Sequence, residues 1–386
     1  MAEKTLKVGM VGCGDIALKN YLPGTAALMP VVEMVAACDT VESHAEYAAE
    51  HFGIPNVYTR IEDLLDDPEV QAVEILTPWP YHFQLTLKAL QAGKHVYVQK
   101  PMAQTLAEAN QLIEEAERQG VVLAAAPPSM LSPTMQRIKS LVREGVIGKV
   151  ALVYSHSSHE GPSGHQRHTD AQWFFMKESG PWTPLVDMGV YGLHTVTGIM
   201  GPAQRLTAFC GIAFGHRTFA TGGTMTFSEG GTREVDITSA DNGIVMLDWG
   251  EGRLGTVDGA FTMIQRVGPS LQLFGSKGVI TSAGRQGTFR LYLKEETGPY
   301  PSGWSEVDAE GAVVATGETG QAAGGEARPP RRERGPSEDI RHWAEVILEG
   351  KPLILTPQHA RHVVEIMEKA PIASETGQAQ ELTTTF

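Results

Sequence analysis

Leu6-Lys7-Val8-Gly9-Met10-Val11-Gly12-Cys13-Gly14-Asp15-Ile16-Ala17 is the stretch that decides the fold. An apolar strand enters a Gly-x-Gly-x-x-Ala turn, and the pattern places a helix after it. Gly12 permits the tight turn, Gly14 lets a pyrophosphate approach bare backbone, and Ala17 is small enough for the helix to pack on the strand. The helix start at Asp15 and Ile16 offers unpaired N–H groups and a partial positive charge to phosphates. The next apolar run, Val31–Cys38, reads as a second strand ending at Asp39, about 20 residues past the turn, where an acid binds a ribose diol. No Arg follows between Thr40 and His44 to hold a 2′-phosphate, so the reading favours NAD over NADP.

The chain has 386 residues, 42% hydrophobic and 20% charged, as expected of an ordinary globular protein with about two domains. Its net charge of −14 argues against nucleic acid or an anionic membrane as partner. Cys13, Cys38 and Cys210 are too scattered for a disulfide framework or a metal cluster, which suits a reduced, cytoplasmic setting. The apolar runs are short, so no membrane span is expected. The first strand begins within about five residues, which leaves no room for a signal peptide.

Up to residue 126 strands alternate with helices, the pattern of a doubly wound parallel sheet and here an NAD-binding domain. Pro127-Pro128 marks the boundary to a second domain, 127–386. After a helix at Thr134–Glu144, strand-like segments dominate: Val150–Ser155, Arg205–Gly211, Thr224–Phe227, Gly243–Trp249, Arg253–Phe261, Ser270–Phe274 and Phe289–Lys294. Gly-rich turns between them predict a large, mostly antiparallel sheet, interrupted by one clear helix over Val186–Met200. Residues 310 to 336, rich in Gly, Ala, Arg, Pro and Glu, read as a mobile surface loop. Helices at Ser337–Glu349 and Pro357–Lys369 follow.

The motifs accumulate in one order: the glycine turn, Thr77-Pro78-Trp79-Pro80-Tyr81-His82, Gly93-Lys94-His95-Val96-Tyr97-Val98-Gln99-Lys100-Pro101, Gly145-Val146-Ile147-Gly148-Lys149-Val150 and Asp187-Met188-Gly189-Val190-Tyr191. The chain thereby resembles the Gfo/Idh/MocA oxidoreductases over nearly its whole length. The resemblance implies a Rossmann domain followed by an α/β domain whose open sheet forms a subunit interface, in a dimer or tetramer. It also implies hydride transfer between a nicotinamide and a sugar, polyol or related hydroxyl compound. It puts Thr77, Pro78, His82 and Pro101 beside the cofactor.

Oxidising a secondary alcohol requires a group that takes the hydroxyl proton as the hydride leaves. Lys100 follows a strand at the carboxyl edge of the sheet, where ligands bind in open α/β folds. In the family the motif is Glu-Lys-Pro and its lysine contacts the reacting hydroxyl; here Gln99 replaces the Glu. A neutral neighbour leaves less to favour the charged lysine. Asp187, Tyr191 and His194 fall at i, i+4 and i+7, one helical face. The resemblance assigns Asp187 to substrate hydroxyls and Tyr191 to the proton, with His194 as a substitute acid/base or a core histidine.

His156, His159, His165 and His168 repeat His-x-x-His, with Glu160 and Asp170 nearby. Zinc is one reading. The intervening Gly161-Pro162-Ser163-Gly164 favours another, a loop over the active site whose His159 and His165 bind sugar hydroxyls. Trp173 joins Phe174, Phe175 and Trp182 as an apolar platform for a sugar ring or as core. Two further functions stay open: an NAD-dependent lyase or glycosidase working by transient oxidation and elimination, and a non-catalytic NAD-sensing regulator.

Overall fold

A computed structural model describes residues 5–161, 171–220, 232–284, 287–317 and 337–386. The chain forms two compact units. The first comprises described residues up to 128 together with 337–364; the second comprises those between 129 and 317 together with 365–386.

The first unit is built on six parallel strands: β1 (Leu6–Val11), β2 (Val32–Cys38), β3 (Asn56–Tyr58), β4 (Ala72–Ile75), β5 (His95–Val98) and β6 (Leu123–Ala125). Their order is β3-β2-β1-β4-β5-β6, the doubly wound arrangement that both-face burial demands of continuous apolar strands. The connecting helices are α1 (Leu22–Ala26), α2 (Glu42–Phe52), α3 (Ile61–Asp66), α4 (His82–Gln91) and α5 (Leu106–Gln119). Thr105 and Glu108 close a capping box at the start of α5, and Gly120 ends it at φ 68°. The helix after the glycine turn is irregular: a π-helical turn occupies Ala17–Tyr21 before α1.

The second unit opens with α6 (Pro133–Arg143) and β7 (Val150–Ser155). Next come α7 (Val190–Met200), β8 (Arg205–Gly211), β9 (His216–Ala220), β10 (Thr232–Asp236), β11 (Asn242–Asp248) and β12 (Leu254–Asp258). The strands continue with β13 (Leu271–Gly275), β14 (Gly278–Thr281), β15 (Thr288–Leu293), β16 (Gly303–Asp308) and β17 (Val313–Thr316). The described chain ends with α8 (Glu338–Glu349), α9 (Pro357–Thr376) and β18 (Gln380–Glu381). Ten strands join in one sheet, β17-β16-β15-β14-β13-β7-β12-β11-β8-β18, while β9 and β10 form a separate hairpin. Every pair in the large sheet is antiparallel except β7 with β12. Helix α7 packs on β7 and β12.

Three expectations change. The helix expected over Val186–Met200 begins as a π-helical turn, Leu185–Gly189, and becomes α-helical only at Val190. The loop expected from 310 does not extend over Val313–Thr316, which pairs with β16; residues 318–336 lie outside the described residues, as does the strand expected at Thr224–Phe227. Helix α8 belongs with the first unit, where Trp343 packs on Tyr97 with ring centroids 6.0 Å apart.

Candidate functional site

In the first unit the glycine turn behaves as its chemistry requires. Gly12 sits at φ 96°, and a Cβ there would lie 2.9 Å from the backbone N and the Cγ2 of Thr77. Glycine therefore brings the turn after β1 against the segment after β4. At Gly14 a Cβ would meet nothing within 4 Å. Bare backbone faces open space at the start of a helix, the cradle a pyrophosphate needs. Asp39 locks this turn from the end of β2. Its Oδ2 accepts from the Cys13 N–H at 2.9 Å and its Oδ1 from the Val41 N–H at 2.9 Å. Asp15 pairs with Lys19 at 2.6 Å along the first helical turn, and Ala17 is fully buried under the sheet edge. Burial pushes the thiols of Cys13 and Cys38 up to about 12, so both stay protonated at neutral pH.

His82 is 1% exposed. One ring nitrogen lies 2.7 Å from the Thr77 carbonyl and the other 2.7 Å from the Pro101 carbonyl. The ring thus sits as a staple between the segment after β4 and the segment after β5, its one N–H donating to one of the two carbonyls. Burial pushes its pKa down to about 4, outweighing the pull of the two carbonyls. Trp79 is buried as well.

Lys100 follows β5 at the carboxyl edge of the sheet. Its peptide and the one before it are both held: the Gln99 N–H donates to the Ile75 carbonyl at 3.0 Å, and the Lys100 N–H donates to the Gln99 side-chain Oε1 at 2.9 Å. Gln99 is buried, so the substitution for Glu places a neutral amide in the interior.

In the second unit Asp187 lies in the π-helical turn and Tyr191 and His194 on α7. A π turn places successive residues at a smaller angle than the α-helical spacing assumes, so Asp187 is rotated relative to the α7 face. Asp187 and Tyr191 are partly exposed, whereas His194 is buried. Two glycines bring this helix onto the ends of β7 and β12. A Cβ on Gly192 would meet Ser157 Oγ at 2.7 Å, and one on Gly189 would lie 3.3 Å from the Asp258 carbonyl.

Next to that contact is a pairing the sequence reading did not single out. His156 Nδ1 lies 2.8 Å from Asp258 Oδ2. Asp258 Oδ1 accepts from the N–H groups of Ser157 and Ser158 and from Ser158 Oγ. His159 accepts the Gly161 N–H at 2.7 Å and its ring faces Phe261 at 5.6 Å. His165, His168 and Asp170 lie outside the described residues. Among those described, no group of three His, Cys, Asp or Glu side chains is placed to hold a metal ion.

Of the aromatic platform, Phe175 joins Phe219, Ile237 and Phe261 in a buried cluster. Trp182 is buried and donates its Nε1–H to the Gly259 carbonyl. These two are core. Trp173 and Phe174 are half-buried and lie against each other at a tilt of 32°, centroids 4.0 Å apart.

Comparison with known proteins agrees with both units. Residues 6–126 match the family model of oxidoreductases with an NAD-binding Rossmann fold, and residues 135–281 match the GFO/IDH/MocA C-terminal domain. The chain is 32% identical over 203 residues to dTDP-3,4-didehydro-2,6-dideoxy-alpha-D-glucose 3-reductase of Streptomyces violaceoruber, covering 53% of this chain and 57% of the reductase. It is 24% identical over 275 residues to myo-inositol 2-dehydrogenase of Thermotoga maritima, covering 71% and 74%. The match thus spans little more than half of the reductase's length. A structure of levoglucosan dehydrogenase with NADH and levoglucosan shares the fold, with TM-score 0.78 at 18% identity over 99% of this chain and 100% of that one. The glycine turn, the acid after β2 and the two matched domains together assign the chain to the Gfo/Idh/MocA oxidoreductase family, with NAD as its cofactor.

Proposed function

We propose that this protein oxidises a secondary hydroxyl of a sugar, sugar derivative or inositol, or reduces the matching ketone, with NAD. The observation that carries this reading is Lys100. It is held by its own peptide and by the His82 staple at the carboxyl edge of the sheet whose first turn carries the open Gly14 backbone. The names of the relatives, a sugar 3-reductase and an inositol dehydrogenase, point to the same substrate class. The division of labour follows the two units, with the nucleotide bound by the first and the hydroxyl compound by the second.

Bound NAD supplies the hydride acceptor; the chain's own residues handle the proton and the orientation. Lys100 lowers the cost of the alkoxide by donating to the substrate oxygen. Tyr191 takes the hydroxyl proton in its phenolate form during oxidation and gives it back as the phenol during reduction, and Asp187 fixes neighbouring hydroxyls. His159, His165 and Trp173 contribute contacts to the sugar ring. His194, being buried, holds α7 rather than the substrate. Buried, protonated Cys13 and Cys38 suit a reducing, cytoplasmic setting. No helix among the described residues is long and apolar enough to cross a membrane. The protein assembles as a dimer or tetramer through its large sheet.

A panel of sugars, glycosides and inositols, including levoglucosan and myo-inositol, tests the reading by NADH absorbance with NAD. One or more should produce NADH in step with ketone. Tyr191→Phe should then cut turnover at least about a hundredfold. Product without matching NADH overturns net oxidation in favour of oxidation followed by elimination. A crippled His194→Ala beside an active Tyr191→Phe reverses the two roles.

A further inference from the structure

The amide of Gln99 is the first member of a buried line of hydrogen bonds that ends on a different helix. Its Oε1 accepts the Lys100 N–H at 2.9 Å, and its Nε2 donates to the Tyr21 hydroxyl at 2.7 Å. The Tyr21 and Tyr97 hydroxyls are 3.1 Å apart. Tyr97 donates to Asp339 Oδ2 at 2.5 Å, and that oxygen is also 3.4 Å from the Tyr21 hydroxyl. Gln99, Tyr21, Tyr97 and Asp339 are all buried.

Counting protons fixes the direction of the line. A phenol has one hydrogen, a carboxylate only accepts, and an amide nitrogen only donates. Tyr97 spends its hydrogen on Asp339, so between the two phenols Tyr21 is the donor. Every N–H and O–H from the Lys100 peptide onward therefore points toward the Asp339 carboxylate, an arrangement in which each bond polarises the next. The line has room for one negative charge. Glu74, also buried, accepts from Thr25 at 3.2 Å and is pushed up to about 8 by burial and by Asp339.

We propose that Asp339 is a positioning residue for Lys100, holding its peptide through Tyr97, Tyr21 and Gln99. The proposal rests on the assignment of Lys100 to the reacting oxygen. Tyr21 belongs to the π-helical turn that follows the glycine turn, and Asp339 lies in the first turn of α8. The same line thus registers the nucleotide-binding helix, the Lys100 peptide and α8 against one another within the first unit. It also accounts for Gln99: a carboxylate at 99 would be a second buried charge beside Asp339, and it would take the one hydrogen of Tyr21, leaving none between the two phenols.

The test measures kcat, KM and NAD affinity of the full-length enzyme, using the panel compound that gives the fastest NADH formation. Tyr21→Phe cuts the line while leaving the Tyr97–Asp339 bond in place, and Asp339→Asn removes the charge. Each should lower kcat about tenfold or more, with NAD affinity and KM changed less than about threefold. Gln99→Glu should be similarly impaired, and the double variant Gln99→Glu/Asp339→Asn should recover to within about threefold of the parent, because the charge has moved along the line rather than doubled. Multiplied losses in the double variant, or wild-type kcat in Tyr21→Phe beside an inactive Lys100→Met, overturn the positioning role alone. An active Lys100→Met overturns the assignment of Lys100, and this proposal with it.

Discussion

Asp39 shows how far a single residue can be read. Its place after the second strand announced a ribose contact. The spacing did not announce that both carboxylate oxygens are engaged by the N–H groups of Cys13 and Val41, since backbone donors leave no mark in the sequence. The carboxylate therefore shapes the glycine turn, beside the ribose contact expected of it. Asp39→Asn keeps one acceptor and loses the charge, so NAD affinity measured by fluorescence titration should fall about tenfold or more. An unchanged affinity would leave Asp39 as a turn residue only. Glu74 was less legible, passing as one polar letter in an apolar strand. The structure buries it fully, and burial raises its pKa from 4.5 to about 8. A carboxyl whose folded value is raised prefers the protonated, folded state. Its contribution is complete below the unfolded value and is lost as pH rises through the folded one. Relative to Glu74→Gln, the wild-type protein should lose a few kcal/mol of stability between about pH 4.5 and pH 8, read from urea midpoints at several pH values. Parallel pH curves for the two proteins would show the carboxyl ionising as freely folded as unfolded.

At the scale of elements, strands and helices of the first unit were legible because β1, β2, β4 and β5 are mainly apolar, each carrying a single polar residue, with Gly or capping signals between them. The helix expected over Val186–Met200 was legible only in part. Apolar periodicity alone reads 186–200 as one α-helix, but the π turn at Leu185–Gly189 arises from tertiary packing against β12. The relevant letters are Gly189 and Gly192, whose meaning depends on which backbone lies opposite. A Cβ on Gly192 would sit 2.7 Å from Ser157 Oγ, 2.8 Å from Val257 Cγ1 and 2.9 Å from Ser155 Oγ. Gly192→Ala should therefore cost about 1–3 kcal/mol despite its gain in helix propensity, and should lower turnover by displacing Tyr191. Urea denaturation and steady-state kinetics measure the two effects. A stabilised variant would mean that the helix has room to move off β7.

At the scale of the whole molecule, the antiparallel sheet was foreseen from its Gly-rich turns, yet among the described residues one face of it leaves large apolar side chains exposed. In β11 the run Ile244-Val245-Met246-Leu247 reads as a strand buried on both sides. The structure buries Val245 and Leu247 completely and leaves Ile244 54% and Met246 44% exposed. Phe209, directly across from Ile244 on β8, is 74% exposed. On the same side Leu254, Leu152, Phe274, Val279, Tyr292 and Trp304 stand opposite one another across six strands. A contiguous apolar face of this kind marks an interaction surface, and a flat face of one sheet pairs naturally with its own copy about a two-fold axis. Charges placed at its centre should prevent that. Phe209→Asp/Ile244→Asp should run as a 41.7 kDa monomer in size-exclusion chromatography with light scattering, with its association weakened at least about a hundredfold. The wild-type chain should run as a dimer or larger at micromolar concentration. Since Phe209 and Ile244 are exposed, the variant should keep its circular dichroism spectrum. A wild-type protein that is itself monomeric, or a variant that assembles as before, would remove the sheet face from the interface.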